Sequence, residues 1–100
     1  MQRADAICTR ASHRLTAADA FDRRQQIVRR EIVDLRALGH RADKLARALD
    51  RELFAQRLLR IASFSGDSEE AQSAIFQGRK AVRDARRAAA ALGLRVCGAP

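Results

Sequence analysis

The chain has no tryptophan and no tyrosine, one proline at its last position, and only five glycines and two cysteines. With so little turn chemistry, and no run of β-branched and aromatic residues that stands out as a strand, a sheet protein is excluded. Cys8 and Cys97, near opposite ends, make neither a zinc site nor a C-x-x-C redox pair. No apolar run approaches the roughly 18 residues that a membrane span needs. His13 and His40 stand alone, outside any Glu-x-x-His or His-x-x-x-His spacing, so no metal site is expected. A glycine-rich phosphate loop, a nucleophile elbow and a Ser-His-Asp grouping are all missing, which argues against an enzyme and against a cofactor. Lysine is scarce too: Lys44 and Lys80 are the only two, so the net charge of +8 is almost entirely arginine.

What remains is dominated by alanine, leucine, arginine, aspartate and glutamate, a helical composition. One hundred residues predict a single domain, 1–100. A chain this short buries only about two thirds of its unfolded surface, so a brace is expected.

The periodicity divides the chain into a short first helix and three long ones. Ala4, Ile7, Cys8, Ala11 and Leu15 recur at helical steps over residues 2–15 and turn Cys8 inward. Phe21, Val28, Ile32 and Leu35 line a second helix that Gly39 stops. A third, about 41–64, has two apolar groups: Leu45, Leu49, Leu53 and Phe64 on one side, and Phe54, Leu58 and Ile61 about a third of a turn away. So broad a face belongs to a central helix or leaves Phe54, Leu58 and Ile61 as an interface. After Ser65-Gly66-Asp67-Ser68, Asp67 or Ser68 caps a last helix running to Leu92. Its 4-3 series of Ala71, Ile75, Gly78, Val82, Ala85, Ala89 and Leu92 reads as a seam that brings a neighbour close. Gly93 followed by Leu94 predicts a Schellman ending.

Arg79, Lys80, Arg83, Arg86 and Arg87 form a basic stripe on the last helix, a candidate anion-binding face. Such a stripe, with a pI near 11.3, fits a phosphate backbone. Against nucleic acid stand the absence of helix-turn-helix spacing, of interleaved aromatics, and the twelve acids that dilute the field. Glu31 and Asp34, beside Arg29, Arg30 and Arg36, read as a solvated charged face.

For the cysteines two readings are open: buried or free thiols, or a disulfide joining ends that an up-down bundle brings together. The second is favoured by their placement, each beside an apolar anchor, Ile7 or Val96.

A-D-A-I-C-T-R-A-S at 4–12, L-R-A-L at 35–38 and A-A-A-L-G-L-R-V-C-G at 89–98 resemble the small secreted or lipid-anchored helical proteins of actinobacteria and related GC-rich bacteria, whose function is generally unassigned. The resemblance implies that Cys8 pairs with Cys97 outside the cytoplasm, after removal of a leader. The expectation is therefore an all-α up-down bundle with disulfide-joined ends, non-catalytic and extracytoplasmic, serving an unidentified protein partner or forming a homodimer. The alternative is a cytoplasmic basic protein that binds nucleic acid through its arginines.

Overall fold

The computed structural model describes residues 2–17 and 20–94. Four α-helices follow one another and pack together: α1 (Gln2–Ala17), α2 (Phe21–Arg36), α3 (Asp43–Ser65) and α4 (Ser68–Ala91), with a 3-10 turn at His40–Ala42. No strand occurs among the described residues. The all-helical bundle stands as expected. At sixteen residues, however, α1 is as long as α2 rather than a short preface to it.

The helix ends follow local chemistry. Asp67 caps α4, its Oδ1 accepting from the Glu70 amide at 3.1 Å, and Glu69 and Glu70 fill the first turn, where the dipole favours acids. At the other end Gly93 takes φ +72°, the Leu94 amide donates to the Ala89 carbonyl (2.9 Å) and the Gly93 amide to that of Ala90 (3.0 Å). These are the two bonds of a Schellman ending, and they fold Leu94 back into the core.

Successive helices run antiparallel. Along α2 and α3, Arg60 pairs with Asp22 (3.5 Å), Gln25 donates to Gln56 (2.9 Å) and Arg36 reaches Asp50 (4.0 Å). Along α3 and α4, Gly78 lies level with Ala55, and Arg51 pairs with Asp84 at 3.5 Å. α1 packs on α2, where Arg24 donates to the Leu15 carbonyl at 3.1 Å.

The core sits at one end of the bundle. Ala4, Cys8, Ile32, Leu35, Leu45, Leu49, Leu53, Ala85, Ala89 and Leu94 form one buried cluster drawn from all four helices. Leu35, Leu45 and Leu53 are wholly enclosed, each such side chain stabilising by roughly 1.5–3 kcal/mol relative to exposure. Phe64, grouped by sequence with Leu45, Leu49 and Leu53, is not among them: it lies at the far end of α3 and is 82% exposed.

Away from the core, α3 and α4 are held by small residues. Ala48, Ala55 and Ala62 recur every seventh residue on α3 and face Ala74, Ala81 and Ala85 of α4, all buried. The seam is thus rotated from the one the hydropathy favours. Gly78, Ala85 and Ala89 belong to both series, but alanine at 74 and 81 takes the place expected for Ile75 and Val82, which stand beside the contact line. Closely approaching backbones admit a methyl group and exclude a branched side chain.

The expected disulfide falls on a residue that the structure does not describe. Cys8 lies in the core, while Cys97 falls outside the described residues.

Candidate association surface

Beyond Leu53 and Ala81 the alanine seam is buried, but the large apolar side chains are not. Phe54 is 52% exposed, Ile61 65% and Phe76 66%, and Leu58 between the first two is half-buried. Their position follows from the backbone. The α3 residues facing α2 include Gln56, and Phe54, two residues earlier, is turned about 200° from it. Phe54, Leu58 and Ile61 therefore lie on the side of α3 that α2 does not cover. Across the seam Phe54 shares a shallow hollow with Gln77, Lys80 and Asp84 of α4. The expected interface residues are brought together on α3, whereas Phe76, which periodicity did not single out, is exposed on α4 about 200° around the helix from Gly78 and so points away from α3. Its signal was available: an aromatic residue outside the seam.

Phe64 has a different setting. The Arg60 guanidinium stacks over the Phe21 ring (4.5 Å to the centroid) and over that of Phe64 (5.7 Å). Its pairing with Asp22 fixes it further, so the ring serves as a platform for a cation at the start of α2.

The opposite face of the hairpin carries a groove of about 530 Å³. Ala55, Leu59, Ile75 and Val82 give it apolar walls, and Arg79, Arg83 and Arg86 stand along it with Glu52. The basic stripe is thereby divided. Arg79, Arg83 and Arg86 border this groove, whereas Lys80 and Arg87 lie on the Phe54 side. Arg87 meets Lys44, Arg47 and Arg51 of α3 in a separate cleft whose one carboxylate is Asp84. The i, i+3, i+7 spacing of Lys44, Arg47 and Arg51 was the sequence signal for that cleft.

Glu31 departs from the solvated face expected of it. It is only 8% exposed, between α2 and α3, while Asp34 is held by Arg30 at 3.2 Å. Burial pushes the Glu31 carboxyl from the usual 4.5 up to about 7, and nearby Glu52 adds to the shift. Glu52 is also raised by burial, with Arg86 opposing. The arrangement can hold a proton near neutrality, but Glu31 does not line the groove. Close by, Gln25 is buried with its Oε1 unpartnered. No group of three or more potential metal ligands occurs among the described residues, and none of the described helices is long and apolar enough to cross a membrane.

Comparison with family models, with curated proteins and with solved structures finds no match to this chain.

Proposed function

We propose that this chain is a non-catalytic, extracytoplasmic helical domain that works by associating with protein through the uncovered face of its α3–α4 hairpin. The observation that carries the reading is the division of the molecule. One end has a closed core, while at the other Phe54 and Ile61, with half-buried Leu58 between them, stand uncovered on one side of α3. Contiguous apolar surface of this kind marks an interface. In this reading Cys8 pairs with Cys97 and ties α1 to the chain's end. In the chain-entropy model such a long loop closure contributes about 4–5 kcal/mol. Intact mass should then rise by two hydrogen atoms on reduction; two freely alkylated thiols in exported protein would remove that part of the reading.

Ile61→Glu tests the surface, because Ile61 is the most exposed of the three α3 residues. Association measured by sedimentation should be lost while the thermal midpoint at low concentration stays unchanged. Association undiminished by the substitution would contradict the reading.

The cleft of Lys44, Arg47, Arg51 and Arg87 favours a second reading, a cytoplasmic protein that binds nucleic acid. It requires generic DNA binding that weakens steeply with salt and loses slope on Arg47→Ala. Salt-insensitive or undetectable binding would sink it.

A further inference from the structure

We propose that the groove walled by Leu59, Ile75 and Val82, on the face opposite Phe54, is a second docking site, and that its occupant is an acidic amphipathic helix of another protein. That site shares no residue with the association surface on α3 and stands apart from it.

The groove lies where the bundle is left unclosed. α2 packs on α1 and α3, and α3 packs on α2 and α4, but α4 packs along α3 and along no other helix to a comparable extent. At the core end, Ala4 and Cys8 of α1 share the buried cluster with Ala85 and Ala89 of α4. Beyond that end every side chain lining the groove comes from α3 or α4. One flank of α4 therefore lacks the second neighbour that a closed bundle would give it. The row facing this gap, from Ile75 to Arg86, is about 16 Å long, or three turns of helix. An amphipathic helix laid along it buries one apolar stripe against the flank, the usual way in which a helical groove takes a partner.

The chemistry of the occupant follows from the order of residues along that row. Ile75, Arg79, Val82 and Arg86 succeed one another at steps of four, three and four and so share one side of α4. Apolar and cationic side chains thus alternate turn by turn, with Ala55 and Leu59 of α3 beside them. Arg79 and Arg83, one turn apart, are exposed and pair with no carboxylate among the described residues. Glu52, the one acid lining the groove, stands near Arg86 at the core end. A single-headed amphiphile calls for an apolar pocket with its cations gathered at one mouth, and a polynucleotide has no apolar face to set on Ile75 and Val82. A helix with an apolar stripe and carboxylates one turn apart beside it satisfies the whole row. The net charge of +8 steers the same kind of partner towards the chain.

The test uses a labelled, alanine-based peptide of about 14 residues, long enough to form a helix. It carries leucines at i, i+4 and i+7 with a glutamate after each, and a twin peptide has lysine in place of glutamate. Fluorescence anisotropy should show saturable binding of the glutamate peptide to the wild-type chain. Arg79→Glu together with Arg83→Glu should weaken that binding on the order of tenfold and admit the lysine twin, because exposed opposite-charge contacts are reversed. Arg10→Glu together with Arg14→Glu makes the same change of charge at the same spacing on exposed positions of α1, and should leave the glutamate peptide bound. Equal weakening by the two double variants would mean attraction to net charge alone and would overturn the site. A wild-type chain that binds neither peptide overturns it as well. Peptide binding abolished by Ile61→Glu belongs to the α3 surface and refutes the groove. Dodecanoate that binds saturably, and is lost with Arg79 and Arg83 while the peptide does not bind, would make the occupant a lipid anion and refute the helix.

Discussion

Glu31 is the residue whose environment departs furthest from its chemistry in water. Its carboxyl is buried between α2 and α3 with a second carboxylate near it, and it holds its proton up to about pH 7 rather than 4.5. Below pH 4.5 folded and unfolded chains are both protonated at this site, and the shift changes nothing. Between that pH and about 7 the unfolded chain gives up the proton and the folded chain keeps it, so stability falls as pH rises, by on the order of 3 kcal/mol in all. Glu31→Gln should therefore leave the thermal midpoint unchanged near pH 4 and raise it at pH 8. A variant that follows the wild-type pH profile throughout would show that the cost lies elsewhere. Gly78 makes a second prediction. A Cβ there would meet that of Ala55 at 3.6 Å, an ordinary contact. Gly78→Ala should thus gain close to the helix-propensity difference of about 1 kcal/mol, read as a higher midpoint of urea unfolding. A loss would mean that the seam is tighter at that point than the structure has it.

At the scale of elements, the α3–α4 seam is where sequence and structure part. Helix limits, the Asp67 cap and the Gly93–Leu94 ending were legible because each rests on local backbone chemistry. The packed side of α4 was not. Two 4-3 series overlap along it and share Gly78, Ala85 and Ala89, and hydropathy prefers the series with Ile75 and Val82. The competing series with Ala74 and Ala81 wins because α3 offers alanine every seventh residue, and two such rows let the backbones approach. Hydropathy ranks side chains one at a time and is blind to that match. The burial of Glu31 escaped for a related reason, since flanking arginines report on neighbours in sequence and not on α3 across the interface. Phe54, Leu58 and Ile61 were legible as a group because two apolar faces on one helix exceed what a single neighbour covers. Ala81→Leu distinguishes the two series: at a buried seam position it should overpack and cost about 1–3 kcal/mol. Full stability in that variant would restore Ile75 and Val82 to the contact line.

The whole molecule is unevenly built, with a core shared by all four helices at one end and, at the other, a hairpin joined by methyl groups with its aromatic residues facing water. A hairpin with so few buried large side chains opens locally at lower free energy than the core does. Association that covers it must raise that opening free energy, and by mass action must do so more at higher protein concentration. Hydrogen exchange measured across a concentration series tests this most directly. The account predicts that amides of residues 54–65 and 69–83 become better protected as concentration rises, while those of α1 and of residues 43–53 do not change. Equal exchange in the hairpin at every concentration, or protection that grows uniformly over all four helices, would contradict it.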